Sequence, residues 1–483
     1  MKWLLAALSG VLLVLVFPKF DLAWLAPFAL TPLIYALARE TRPRSWFGLG
    51  YVMGLIFWGG MNYWIQEVLE VHGGTGGFMS WVCLVLFCLA KAIHMGIFAL
   101  LAGYAVRLSW AAIAVPACWV AIEWTHGPFG FAWLDLGNAG IDMSILLRLA
   151  PFTGVYGLSF LFAVMSTCVA LALLRRSRLQ LVPLVLIFAP LMFPDLPEVQ
   201  RGRSSALLVQ PNIPDEQVWN PATFESTVQQ LTILSSATGS SDLLVWPEVP
   251  APFYDNTPAM QETARRAGQN GRTWFLAGIV ARAPDGQPLN SAGLWNPDGQ
   301  LVSRYDKVNL VPFGEFVPWP FGMLTRKVST EAGDFEAGKK VVVSQENGHR
   351  IGTFICYESV FPRFIRRFAL EGAEALFNLS NDSWFGKSAA RHQHLKIVRM
   401  RAVENRRWIL RATNDGITAA IDPAGRVVRE APSYQAVSSR VNFNYLRDTT
   451  LYTRWGDWFV AVCAILTLVA LMHAFLPKYS AAS

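Results

Sequence analysis

The apolar residues of this chain are gathered at its two ends, and that separation constrains the fold more than any motif. Residues 1 to 194 and 457 to 476 are dominated by aliphatic and aromatic side chains, whereas the stretch between them has the mixed character of a water-soluble domain. A run of about 20 apolar residues is long enough to cross a bilayer as a helix. Eight runs are candidates, near 3–17, 22–38, 46–65, 78–106, 109–124, 153–174, 179–194 and 457–476. The first is short and follows Lys2, as a signal peptide would. A second apolar run begins within a few residues and no clear cleavage site closes the first, so it is read as a retained span. The expected organisation is a membrane bundle of seven spans over 1–194, a soluble domain over 195–456, and an eighth span with a short tail over 457–483.

The links between spans carry an orientation signal, because cations concentrate in cytoplasmic loops. Arg39, Arg42 and Arg44 lie between the second and third runs, Arg107 between the fourth and fifth, and Arg175, Arg176 and Arg178 between the sixth and seventh. The opposite links are poor in cations: 66–77 has none and 125–152 has only Arg148. This alternation puts both termini in the cytoplasm and the soluble domain outside, which is the periplasm in a bacterium with two membranes. The net charge of +7 is thereby accounted for. No zinc spacing, phosphate loop or basic aromatic platform accompanies it, so nucleic acid is not expected as a partner. Lys91, inside the fourth run, is read as an internally paired or snorkelling lysine in preference to a lipid contact. Glu123 is its nearest candidate partner. The aromatic and glycine-rich link 125–152 fits either an interfacial arm or an aromatic belt.

Of the six cysteines, Cys83, Cys88, Cys118, Cys168 and Cys463 fall in apolar runs, and Cys356 alone lies in the soluble region. That region therefore holds no internal disulfide. A lone cysteine is either an inert core residue or a nucleophile.

Between about 205 and 430 short aliphatic runs alternate with helical patterns, which predicts a layered α/β domain. Strands are expected at 206–209, 242–246, 273–281, 292–295, 301–305, 350–355, 375–379, 409–413, 417–421 and 426–429. Helices are expected at 224–236, 258–268, 361–370 and 389–406. In such folds ligands gather at the carboxyl ends of strands. Three reactive residue types stand there: Glu248 after 242–246, Lys307 after 301–305, and Cys356 between 350–355 and a helix, in elbow position. A carboxylate can take a thiol proton and return it to a leaving group. An ammonium can steady the thiolate and the oxyanion of a tetrahedral intermediate. The backbone N–H of Tyr357 is a second candidate oxyanion donor. Each residue alone is weak evidence, since a glutamate after a strand is commonly a solvated end and a lysine commonly a surface one.

The local wording is sharper. Val245-Trp246-Pro247-Glu248, Tyr305-Asp306-Lys307-Val308-Asn309-Leu310-Val311-Pro312-Phe313-Gly314-Glu315 and Ile355-Cys356-Tyr357-Glu358 resemble, in the same order, the three signatures of the nitrilase superfamily. With its flanking spans the whole chain resembles the bacterial apolipoprotein N-acyltransferases. The resemblance implies an αββα sandwich with Glu248 as base, Lys307 as oxyanion stabiliser and Cys356 as nucleophile. It implies supporting roles for Glu315, which would orient Lys307, and for Glu358 beside the nucleophile. Trp219 and Tyr357 match positions linked to substrate handling, and Trp384 and Phe385 match a mobile aromatic loop near the entrance; for these aromatics packing or membrane contact is an equal alternative. The implied donor is a membrane phospholipid and the implied acceptor a diacylated apolipoprotein, with no metal or organic cofactor. Three rival readings share parts of the pattern: a membrane-tethered amidase with water as second substrate, a Cys–His hydrolase using His392 or His394, and a transporter or lipid-binding protein built around Lys91.

Overall fold

A computed structural model describes the chain except residues 74–75, 129–130, 200, 219, 237–240, 252, 255–256, 270–272, 313, 317–334 and 476–483. Two compact units result. One comprises Met1–Gln66, Trp81–Leu196 and Trp455–Ser483; the other comprises Glu67–Ser80 and Pro197–Arg454.

The first unit is helical. Among the described residues three helices are long and apolar enough to cross a membrane: Gly77–Ala105, Val155–Leu173 and Trp458–Phe475. The run at 46–65 forms a 19-residue helix, Pro43–Met61, and the other apolar runs form shorter or irregular pieces. The run at 22–38 breaks into a 3-10 turn, Ala23–Phe28, and a helix, Thr31–Arg39, because Pro27 and Pro32 interrupt it. The run at 179–194 is a 3-10 helix, Arg178–Met192, with Pro183 and Pro190 inside it. Cations from alternate links meet at one end of this unit. Lys2 pairs with Glu40, and Arg107 donates to the carbonyls of Gly103 and Glu40 while lying 4.3 Å over the Trp46 ring.

The link at 125–152 is not a simple belt. Its residues 132–141 are mostly buried, and a 3-10 turn at Leu136–Asp142 is closed by a reciprocal cap between Asp135 and Asn138. This folded arm supplies the partners of Lys91. Its ammonium meets His126 Nδ1 at 2.8 Å and the Phe131 carbonyl at 3.0 Å, and lies 4.5 Å over the Trp58 ring. The expected partner, Glu123, instead accepts from the Leu136 N–H and the Trp119 indole.

The second unit holds two six-stranded sheets. The strands are β1 (Ser204–Gln210), β2 (Leu243–Val245), β3 (Trp274–Arg282), β4 (Pro288–Trp295), β5 (Leu301–Asp306), β6 (Val343–Glu346), β7 (His349–Ile355), β8 (Ala375–Ser380), β9 (Ile409–Thr413), β10 (Ala419–Ile421), β11 (Val427–Glu430) and β12 (Val437–Phe443). Their orders are β12-β1-β2-β3-β4-β5 and β11-β10-β9-β8-β7-β6. Each sheet has one antiparallel edge strand, then three parallel strands, then two antiparallel ones. Helices Phe224–Ser236 and Pro258–Gln269 pack on the first sheet, and helices Pro362–Leu370 and Ala390–Asn405 on the second. The sheets meet face to face through β1 and β9 and through β4 and β7, giving an αββα sandwich. Behind the first sheet Leu207, Leu244, Trp246, Phe253, Met260, Phe275 and Trp295 form a closed core.

Strand direction follows from this pairing. β2 and β5 run the same way, since two antiparallel steps separate β5 from β3. The residues after β2 and β5 therefore emerge at one end of the first sheet.

Candidate active site

Glu248 follows β2, Lys307 follows β5, and Cys356 follows β7 and opens a 3-10 turn, Cys356–Val360. Cys356 has φ +48°, a left-handed conformation that a side-chain-bearing residue rarely adopts. Such strain is found where a sharp strand-to-helix turn presents a nucleophile.

Lys307 is 1% exposed and lies between two carboxylates, 3.1 Å from Glu248 Oε1 and 2.9 Å from Glu315 Oε1. Asn290 Nδ2 donates to both of these oxygens at 2.7 Å. The other oxygen of each carboxylate is held by backbone: Glu248 Oε2 accepts from the Asn381 N–H at 2.9 Å, and Glu315 Oε2 from the Val311 N–H at 2.8 Å. Burial opposes the charge of Lys307, but Glu248 and Glu315 outweigh it and hold the ammonium above the ordinary lysine range. Burial, reinforced by the charge of Glu248, holds the Cys356 thiol above its ordinary range, while Lys307 acts the other way. The resting thiol is therefore protonated, and nucleophilic attack needs a base.

Glu358 is fully buried and acts as a clasp. Its Oε1 accepts from the Tyr305 hydroxyl at 2.6 Å and from the N–H groups of Val308 and Asn309 at 2.8 and 3.1 Å. Its Oε2 accepts from the Ile355 N–H at 2.8 Å. One carboxylate thus ties the segment after Lys307 to the strand end before Cys356. Tyr357 is buried with its ring edge-on to Phe361. Trp384 and Phe385 lie in a 3-10 turn, Asp382–Phe385; the Trp384 ring stacks on His72 at 4.5 Å and the Phe385 ring meets His394 edge-on. Trp219 lies outside the described residues.

Burial pushes the Glu358 carboxyl up to about 7, against the pull of the Tyr305 hydroxyl and the Ile355 and Asn309 N–H groups. The native state then keeps a proton that the unfolded state has lost between about pH 4.5 and about pH 7. The unfolded state binds fewer protons there, so stability falls as pH rises through that window and levels off above it. The thermal midpoint of the wild type is expected to decline more steeply than that of Glu358→Gln over this range. Equal slopes in a thermal-shift series would show that the carboxyl does not titrate with folding.

Sequence reasoning missed Asn290, Ser380, Asn381 and Asp382. Asn290 is a buried amide on β4 between Leu289 and Ser291, and an amide side chain in a mostly apolar strand was the available signal. The Cys–His rival finds no support: His392 is exposed, and His394 Nε2 faces the Cys356 carbonyl oxygen at 3.2 Å.

Residues 206–449 match the carbon-nitrogen hydrolase family, which is the class that this sandwich and its Glu, Lys and Cys define. Residues 9–168 match the apolipoprotein N-acyltransferase N-terminal domain. The apolipoprotein N-acyltransferase of Geobacter metallireducens is 34% identical over 99% of this chain and 96% of that one. The Methylococcus capsulatus apolipoprotein N-acyltransferase is 32% identical over 95% of this chain and 94% of that one. Among solved structures the C. elegans NitFhit protein is similar at 17% identity, with a TM-score of 0.39, over 56% of this chain and 65% of that one. The chain belongs to the apolipoprotein N-acyltransferase family and is an acyltransferase.

Proposed function

We propose that the chain moves a fatty acyl group from a membrane phospholipid, through a thioester on Cys356, to the free N-terminal amine of a diacylglyceryl-cysteine lipoprotein. The observation that carries this reading is Lys307 held between Glu248 and Glu315 at the strand ends, with the strained Cys356 turn in its field, in a chain similar over its whole length to apolipoprotein N-acyltransferases.

In the first half Glu248 takes the thiol proton and the sulfur attacks the ester carbonyl carbon. Lys307 and the Tyr357 N–H steady the oxyanion. Collapse breaks the ester C–O bond, and Glu248 returns its proton to the departing lysophospholipid alkoxide. In the second half the lipoprotein amine attacks the thioester and gives a proton to Glu248. The C–S bond breaks, the amide forms, and the proton returns to sulfur. Two half-reactions through one covalent intermediate give ping-pong kinetics. Glu315 and Glu358 position these groups, Trp219, Trp384 and Phe385 contact substrate, and no metal or cofactor takes part.

Two lipidic substrates account for a catalytic domain tied to membrane helices. The reading takes 1–194 as seven spans, 195–456 as the catalytic domain facing the periplasm, and 457–483 as an eighth span and tail. It places the protein in the inner membrane with both termini cytoplasmic. The three long apolar helices and the cations clustered at one end of the helical unit support it.

Intact-mass measurement tests the chemistry. Purified full-length protein incubated with phospholipid alone is expected to gain one acyl mass, which Cys356→Ser does not, and to lose it to a diacylated lipopeptide. Absence of any adduct overturns the thioester. Discharge by water as fast as by the lipopeptide amine identifies an amidase-like hydrolase instead.

A further inference from the structure

Helix Ala390–Asn405 buries many polar groups, and among them His394 reaches the nucleophile's turn. Its side chain is fully buried. Nε2 lies 2.8 Å from Ser359 Oγ and 3.2 Å from the Cys356 carbonyl oxygen. Nδ1 lies 3.2 Å from Asp382 Oδ1 and 3.2 Å from Arg411 Nη2. Asp382 and Arg411 are also fully buried and form an ion pair. Arg411 is anchored in turn on the Asn378 side chain and on the Ile417 carbonyl at 3.2 Å. Ser380 Oγ donates to Asp382 Oδ1 at 2.9 Å. Asn381, between Ser380 and Asp382, is the residue whose N–H holds Glu248.

The two ends of the proposed reaction therefore hang on one buried network. The Cys356 turn is held through its carbonyl and Ser359, and Glu248 through the backbone of the residue next to Asp382. We propose that His394 is a positioning residue that bolts the Cys356 turn to the Ser380–Asp382 segment, so that nucleophile and base keep their mutual geometry. A carbonyl oxygen only accepts, so Nε2 carries the proton and donates to the Cys356 carbonyl and to Ser359. Nδ1 lies between the Asp382 carboxylate, which only accepts, and the Arg411 guanidinium, which only donates, so either partner holds the ring in place. Burial and then the Arg411 charge lower the His394 pKa, against the upward pull of Asp382 and the Cys356 carbonyl. His394 exchanges no proton with substrate and acts through the turn it holds. Gly416 is part of the same arrangement: a side chain there would stand 2.3 Å from Asp382 Oδ2.

This inference rests on the thioester reading, and the test separates the two. Single-turnover adduct formation on Cys356 is followed by intact mass at several phospholipid concentrations in wild type, His394→Gln, His394→Asn and His394→Leu, with thermal midpoints recorded in parallel. A glutamine amide lies near the place of Nε2, and an asparagine amide nearer that of Nδ1. His394→Leu and His394→Asn are expected to slow the saturating rate by about tenfold to a hundredfold, the scale of a small misplacement of reacting groups. Half-saturation should stay unchanged, and His394→Gln should recover most of the rate. If His394→Leu is too unstable to purify, the ratio of His394→Gln to His394→Asn decides, because each buries one amide. The inference is overturned if His394→Leu matches wild type, if the loss falls on half-saturation, or if His394→Gln is no faster than His394→Asn. A wild type that forms no adduct refutes the thioester reading itself. A wild type that forms it, beside unaltered His394 variants, refutes only the positioning role.

Discussion

Glu248→Gln is expected to lower acyl transfer by about 10²- to 10⁴-fold, the usual contribution of a positioned base, while making the Cys356 thiol easier to ionise. The two effects have opposite signs because Glu248 acts twice. As a base it takes the proton from sulfur, and an amide cannot. As a buried negative charge it adds to the burial that holds the thiol up, so its removal lets the pKa fall. The groups bonded to Glu248 are donors: Asn290 Nδ2, Lys307 Nζ and the Asn381 N–H. The new amide NH₂ must therefore face one of them, which adds a local misfit to the lost basicity. Alkylation of Cys356 by iodoacetamide, followed against pH by intact mass, reads ionisation without needing the base. Its profile should move to lower pH in Glu248→Gln even though turnover is lost. A profile that stays in place, or retained turnover, would remove Glu248 from the proposed role.

Much of this arrangement was legible because strand ends are legible. Runs of β-branched and aliphatic residues stop where polar residues begin, and Glu248, Lys307 and Cys356 all stand at such stops. That they emerge together depends on strand direction, which the order of elements carries only once the sheets are known. Two strands escaped notice for separate reasons. β6 is short and half polar, yet Asn347-Gly348 beside it has positive φ at both residues, the turn that joins β6 to β7 as a hairpin. β12 pairs with β1, more than two hundred residues earlier, and its alternation is faint because Ser438, Ser439, Arg440 and Asn442 leave only three apolar residues in it. The partner of Lys91 was misassigned because the 125–152 arm folds inward and offers a carbonyl and an imidazole, whereas a search by charge finds only Glu123. Glu358 was placed beside the nucleophile by sequence adjacency. Its four hydrogen bonds tie the segment around Lys307 to the strand end before Cys356. The His394 network was hidden because a buried ion pair between a 3-10 turn and a strand leaves the same residue types as a solvated face.

Lys307→Met is expected to slow transfer steeply and, unlike Glu248→Gln, to destabilise the fold and move the thiol profile to higher pH. Loss of an oxyanion-stabilising group of this kind costs about 10²- to 10³-fold in rate. The structural loss arises because Glu248 and Glu315 face the same ammonium and share one Asn290 amide. Without the cation two buried carboxylates remain together, and leaving a buried charge unpaired typically costs about 3–5 kcal/mol. The pair relieves this by taking up a proton, so its affinity for protons rises above that of the unfolded chain. Stability of the variant should accordingly fall as pH rises through the carboxylate range and above, which thermal-shift measurements across pH would follow. Adding Glu315→Gln removes the surplus charge, so Lys307→Met/Glu315→Gln should regain much of the lost stability and none of the activity. That split separates an electrostatic role from a packing role. A lysine that only filled space would leave the single variant's midpoint insensitive to pH, and the second substitution would add damage where charge relief predicts recovery.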